Sequence, residues 1–544
     1  MVLIAAMPAA AVTLELRLND CEIWLVPNQN GFMTDYCMQF HEILVFLAGC
    51  ILLLYWLGER IFPDSPPESP LLREKSARLP LIFAGVYLLF AIASAIFSEH
   101  GGISFWGIAT ESEGIAAVFG YVMLFLGGYC FLRGDKLRFL SAGALTAAAI
   151  MTVLYLIELI SGQQMSELVW GIRDFRTGTA LLFGSPVACS EYAILLFPVL
   201  LMSGAASEKK VMRLVYSIAA GVMLCIAVTS YSTAAFAGLI LAVVLCAVVL
   251  LFTSCGKKAL YSAAAVVPLL IITAADPSGT FGALFASANN AGTYSHGDCY
   301  LLTDIDISGG ELTLFSGELE LEIKLTDSGA EAYGNGEFLC DINEEMTAMP
   351  GKYSKASARL TNGLLQFDLG YDDTIEFQAM DGEITYIGLN GYLVPEPAHS
   401  AFPELSEYYG FGTGRGYIWL NSLPMLRDCI ILGKGPGQFA YGFPQSDIVG
   451  MLNTHGTTAL LTDKPHNLYL GIAISDGIPA LAAFLCLAFL AVKRSVPALR
   501  EPLRAGAAIS VLCFLLMGIA NDSSAVYSSL FWVLAGISVQ SKAA

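Results

Sequence analysis

The sequence predicts a polytopic α-helical membrane protein of about 11–12 spans with an inserted extracellular antiparallel β-domain. Three observations predict it. The 544 residues are 56% hydrophobic and only 14% charged, where a soluble domain carries about 25% charge. Long apolar stretches recur between short charged gaps, the pattern of membrane-crossing helices. The acidity is confined to one hydrophilic segment: residues 276–466 hold 26 acidic and 8 basic side chains, a balance of −18 out of −19 for the whole chain.

Taken in order, residues 1–40 read as an N-terminal extracellular segment or a partial first span. "MVLIAAMPAAAV" lacks the basic region of a signal peptide. A first transmembrane bundle follows over 41–275. Its candidate spans are 41–58, 80–98, 114–132, 139–161, 180–203, 212–230, 232–253 and 259–275. The C-terminal helices occupy 467–544, with spans at 467–492, 504–521 and 523–540.

Charge sets the orientation. The gaps "ERIFPDSPPESPLLREKSAR", "RGDKLR", "SEKKVMR", "GKK" and "KRSVPALREPLR" are short and basic and alternate with basic-poor gaps. Short basic loops face the cytoplasm, so residues 276–466 lie outside a cell membrane. The surplus of acid there argues against nucleic acid or anionic lipid as electrostatic partners of that segment. Cys21, Cys37, Cys299, Cys340 and Cys429 fall outside, where Cys21–Cys37 and Cys299–Cys340 are candidate disulfides against a reading as free thiols. No Cys/His spacing suggests a metal site.

From about 310 to 392, inside a β-rich insertion at 276–400, the pattern takes period two. In "GELELEIKL" the apolar Leu319, Leu321, Ile323 and Leu325 alternate with Glu318, Glu320, Glu322 and Lys324. "LLQFDL", "TIEFQ" and "EITYIGL" repeat the alternation between Gly, Asn and Asp turn signals. One buried and one wet face mean a small antiparallel domain, a sandwich, serving either as a sugar-binding module or as a structural cap. Residues 401–466 lose the alternation and become rich in glycine and aromatics. The "GKGPGQF" turn there lacks the spacing of a phosphate loop.

"GRGYIWLNSLPMLRDCIILGKGPGQF", followed by "DKPHNLYLGIAISDGIPALAAFL", resembles the signature region of the O-antigen ligase/O-antigen polymerase superfamily in its Gram-positive form. The matching positions are Arg415, Trp419, Gly433 to Gly437, His466, Asn467, Tyr469, Leu470 and Gly477-Ile478-Pro479. "FRTGTALLFGSPVACSEYAILLFPVL" is similar to a second family pattern, placing Arg176 before a helix with Pro186, Glu191 and Tyr192. "SAIFSEHGGISFWGIATESEG" is a looser third match. The β-rich segment has no counterpart in the resemblance. "TSYSTAAFAG" departs from it, with Tyr231 and Ser232 where the family often carries Arg.

The resemblance implies a GT-C-like membrane enzyme doing inverting, metal-independent glycosyl transfer without a cofactor. A glycan on undecaprenyl pyrophosphate would pass to an acceptor hydroxyl, on another lipid-linked glycan (polymerase) or on a different surface acceptor (ligase). The leaving pyrophosphate needs fixed positive charge, and Arg meets phosphate in a bidentate fork. Arg176, Arg415 and Arg427 are the candidates, with Arg173 a competitor of Arg176. The acceptor needs a base, and an imidazole, which ordinarily titrates near about 6.5, suits neutral pH. That points to His466, at the boundary where a lipid-borne pyrophosphate also sits. His466 and Arg415 are thus the catalytic candidates, and Trp419, Asn467, Tyr469 and Glu191 the substrate contacts. The plainer alternatives are an interfacial polar His, interfacial aromatic anchors and a Glu191 that hydrogen-bonds within its helix. Asp476, ahead of Gly477 and Pro479, reads as a helix break. A lipid-linked oligosaccharide exporter is the competing function, though its inverted repeat is not visible. A glycan sensor would need a cytoplasmic output domain, and the longest cytoplasmic gap is about 20 residues.

Overall fold

Eleven apolar segments become eleven helical regions. The computed structural model describes residues 1–18, 22, 24–25, 32–61, 78–171, 178–252, 261–275, 297, 299–326 and 329–540. Among them, seven helices are long and apolar enough to cross a membrane. The chain is therefore a polytopic helical protein with separate antiparallel sheets. The helices run Met38–Ile61, Arg78–Phe97, Ile115–Phe131, Arg138–Ser161, Pro186–Ala206, Lys210–Thr229, Thr233–Phe252, Val266–Ala275, Leu468–Asp476 with Ile478–Ser495, Pro502–Met517 and Ala525–Ser538. Helices Ile115–Phe131, Val266–Ala275, Pro502–Met517 and Ala525–Ser538 are shorter than a full span.

Burial explains why these helices suit lipid. Met38–Ile61 has a mean hydropathy of 2.0 over its most apolar window, yet only 22% of that window is buried in the protein. Leu47, Ile51, Leu54 and Leu57 stand exposed along it. A helix that is apolar all round and still uncovered fits a hydrocarbon solvent, not water. Pro186–Ala206 is the opposite case, 94% buried over its apolar window at the centre of the bundle.

Three boundaries differ from the sequence reading. Residues 1–13 hold only the five-residue helix Val2–Ala6 and a 3₁₀ turn before the Thr13–Arg17 strand, not a span. Ile4 and Met7 are buried against the bundle, and Tyr192 donates to the Ile4 carbonyl at 2.7 Å. The span expected over 180–203 begins only at Pro186. The span expected over 467–492 is broken at Gly477, whose φ of +94° lies in the region that favours glycine. There a Cβ would stand 2.5 Å from the Ile431 carbonyl oxygen, so glycine lets the preceding loop press onto the break.

The period-two segment forms two antiparallel meanders. One sheet holds Asp304–Ser308, Glu311–Ser316, Leu319–Thr326, Gly329–Gly334 and Glu337–Ile342 in that order. The other runs from Thr347–Ala348 through Ser357–Thr361, Leu364–Asp368, Ile375–Met380 and Glu383–Ile387 to Leu393–Val394. Register pairs Leu312 with Ile323 and Leu314 with Leu321, placing the apolar positions on one face. These meet Leu365, Phe367, Phe377 and Tyr386 of the second sheet in one core, the sandwich that the alternation predicts. Ile448 and Leu452 of the Ile448–His455 helix join the same core. Asn453 secures that junction, donating to Leu302 O at 2.7 Å and accepting from the Tyr371 hydroxyl at 2.6 Å.

The expected Cys299–Cys340 bridge does not form. Cys299 donates its thiol to the Gly370 carbonyl at 2.8 Å, and Cys340 lies 3.7 Å from the Met349 sulfur. Cys299, ahead of the first strand, and Cys340, in the Glu337–Ile342 strand, present their sulfurs to different neighbours. Cys21, expected to pair with Cys37, lies outside the described residues.

Candidate functional site

The helix entered through "DKPHNLYL" starts on a cap. Asn467 takes an extended conformation and its Oδ1 accepts from the Tyr469 and Leu470 amides, each at 3.0 Å. That satisfies two of the amides a helix N-terminus leaves open. Its Nδ2 donates to Ile519 O at 2.8 Å, tying the cap to the turn before the last helix. His466 immediately before it has φ +49°, a left-handed conformation uncommon outside glycine. Neighbours hold it there: the Trp419 indole donates to Pro465 O at 3.0 Å, and the Asn467 amide donates to Asp522 Oδ1 at 3.1 Å.

His466 and Asp522 form the centre of the site. His466 Nδ1 lies 2.6 Å from Asp522 Oδ2. Burial alone would push the Asp522 carboxyl up, but the His466 charge and hydrogen bond, with Lys464 and Arg415 behind them, hold it below the usual range. An ionised carboxylate only accepts, so Nδ1, the ring nitrogen that faces it, is the donor of this bond. The His466 side chain is 40% exposed and that of Asp522 13%. This is a half-exposed imidazole backed by a mostly buried carboxylate.

Arg415 reaches the same cluster from the Phe411–Ser422 helix. It donates to Gly412 O at 2.9 Å, to Thr413 Oγ1 at 3.0 Å and, through its second terminal nitrogen, to Asn521 Oδ1 at 3.3 Å. Its buried Nε has no hydrogen-bond partner among the described residues. Burial lowers its pKa, which Asp522 and Glu191 partly restore; guanidinium stays protonated regardless. Asn521 links onward by donating to Glu191 Oε1, so the intramembrane acid is joined to Arg415 through one amide.

Lys464, Glu111 and Glu113 complete the charge. Burial would lower Lys464, but Asp463, Asp522, Glu111 and Glu113 outweigh it and raise its pKa. Burial raises Glu113, against hydrogen bonds from Ser523 (2.6 Å) and Tyr121 to its Oε1. A cavity of about 60 Å³ lies beneath, lined in part by Glu111, Glu113, Tyr121, Asp476 and Asp522. It has room for a few waters among polar groups.

The structure thus brings together His466, Asn467, Arg415, Trp419 and Glu191 of the residues singled out in the sequence. Tyr469 turns away: its hydroxyl donates to Leu515 O at 2.5 Å and its ring packs near Phe484. Arg427 ends a 3₁₀ turn, exposed, and no hydrogen bond or ion pair among the described residues joins it to the cluster. Arg176 and Arg173 lie outside the described residues. No family model matches the chain. No curated protein matches it either.

Sequence reasoning passed over Asn521, Asp522 and Lys464. A signal existed: "NDSS" (521–524) is a polar run between two apolar helices, and such a run is a candidate for ligand or proton chemistry. Glu111 and Glu113 sit inside the stretch quoted for its looser resemblance.

Proposed function

We propose that this chain is a membrane glycosyltransferase acting at the outer face of a bacterial cytoplasmic membrane, in the manner of the O-antigen ligases and polymerases that its sequence resembles. Its donor is a glycan on undecaprenyl pyrophosphate, and its acceptor is a hydroxyl of another glycan or surface molecule. The seven long apolar helices act as spans of a GT-C-like bundle that the shorter apolar helices complete, and the sandwich lies outside, in keeping with the basic gaps.

The observation that carries the reading is the His466–Asp522 pair at 2.6 Å with Arg415 in the same cluster. In the reaction, His466 Nε2 removes the acceptor hydroxyl proton as the acceptor oxygen bonds to the anomeric carbon. The bond from that carbon to the pyrophosphate oxygen breaks on the opposite face, inverting the configuration. Asp522 stabilises the imidazolium that forms. Arg415 takes up charge growing on the leaving pyrophosphate. The free energy comes from the activated donor.

The test incubates the purified full chain with an undecaprenyl-pyrophosphate glycan and acceptor, and analyses the glycan. A new glycosidic bond with inverted configuration supports the reading. Movement of intact lipid-linked glycan across vesicles with no bond formed overturns it in favour of an exporter.

A further inference from the structure

Outside the cluster, the segment 423–434 holds an unusual surface. Leu423 is 42% exposed, Ile430 65% and Ile431 66%. Two adjacent isoleucines this bare, in a segment otherwise flanked by Arg427, Asp428 and Lys434, are left uncovered by the described residues. The segment does not float free of the bundle. Cys429 O accepts from the Ile478 amide at 3.0 Å, and the Lys434 amide donates to Ile474 O at 2.7 Å. The isoleucines therefore sit against the break at Gly477, at the head of the Ile478–Ser495 helix.

That helix shows what covers them. Ile478, Leu485 and Phe489 are exposed on it, and spacings of seven and four put them on one face. In a membrane-spanning helix that face meets lipid. Ile430 and Ile431 continue the bare apolar surface past the helix end, and exposed Arg427 and Asp428, with Lys434 paired to Asp428 at 3.0 Å, flank it in the chain. Bare apolar residues flanked by polar and cationic ones are the pattern of a segment lying in a membrane interface.

We propose that residues Leu423–Lys434 form an interfacial anchor, with Ile430 and Ile431 inserted among the lipid chains of the outer leaflet. The drive is apolar. The Lys434–Asp428 pair cancels charge locally, so the anchor does not depend on anionic lipid. Arg427 then lies at headgroup level beside the site, which accounts for its absence from the His466 cluster. The depth of the anchor also fixes the height of the site above the lipid, because Gly433 to Gly435 pack on the Ile474–Asp476 turn. The outer-leaflet assignment rests on the proposed orientation; insertion itself does not.

The test places the full chain in nanodiscs of zwitterionic lipid and compares Ile431→Trp with Met380→Trp. Met380 is 53% exposed on the sandwich and serves as the aqueous control. After subtraction of the wild-type emission, the indole at 431 is expected to be quenched by lipid brominated high on its chains and shielded from aqueous iodide. The indole at 380 should show the reverse. Equal iodide quenching at both sites, with no loss to brominated lipid at 431, overturns the anchor. The readout needs no turnover, so it stands or falls apart from glycosyl transfer.

Discussion

The Nδ1 of His466 and the Oδ2 of Asp522, 56 positions apart in the chain, lie 2.6 Å from each other. One comes from the loop that re-enters the bundle and the other from the turn before the last helix, so only the folded bundle makes the pair. If Asp522 fixes the tautomer and stabilises the imidazolium, Asp522→Asn removes both effects and leaves the ring in place. The expected loss is about 10²–10⁴-fold in the rate of glycan transfer, with donor KM little changed. Initial rates at saturating donor check it.

Arg415 makes a graded prediction. Arg415→Gln removes the charge and costs about 10²–10³-fold in kcat, as for other groups aimed at developing negative charge. Arg415→Lys returns the charge without the planar fork and falls between the two. Arg427→Gln, exposed and apart from the cluster, leaves kcat near that of the wild type. Parallel kcat measurements on the three variants separate these outcomes.

The strained backbone at His466 depends on its neighbours. Trp419→Phe deletes the 3.0 Å bond to Pro465 O and is expected to cost about 1 kcal/mol. Asn467→Ala removes the helix cap and costs about 0.5–2 kcal/mol. Both lower the detergent-solubilised Tm slightly, and both reduce transfer more than so small a loss of stability explains, because the base is displaced. Gly414→Ala acts more severely. At φ +86° its Cβ would fall 2.3 Å from the His455 ring, and folded protein should be lost.

Asp522 also ties stability to pH. Its carboxyl is held below the ordinary value by His466, Lys464 and Arg415 against the effect of burial. A depressed acid contributes its stability fully above the unfolded pKa and loses it as pH falls through the folded one. The Tm difference between wild type and Asp522→Asn should therefore be full at neutral pH and shrink below about pH 3.9. Thermal unfolding in detergent across that range measures it.

How much was legible in the sequence follows from the range of each signal. Apolar runs and period-two alternation are local, and helices such as Met38–Ile61 and pairs such as Leu314 with Leu321 appear where those patterns lie. His466, Asn467 and Arg415 were readable because they share one stretch of chain with their flanking motif. Asp522 and Glu111 were not, since their meeting with His466 and Lys464 depends on packing among distant segments. Tyr469 and Arg427 show the converse: proximity in sequence put them beside the site, and the helix turn carried one into the bundle and left the other exposed.

The most direct test of the central claim is a single-turnover measurement on folded wild type, His466→Ala and Asp522→Asn with labelled undecaprenyl-pyrophosphate glycan and acceptor. The account predicts that wild type releases undecaprenyl pyrophosphate in step with new glycosidic bond. His466→Ala should bind the donor and form no product, and Asp522→Asn should form it slowly. Wild-type rates of bond formation in His466→Ala would contradict the account.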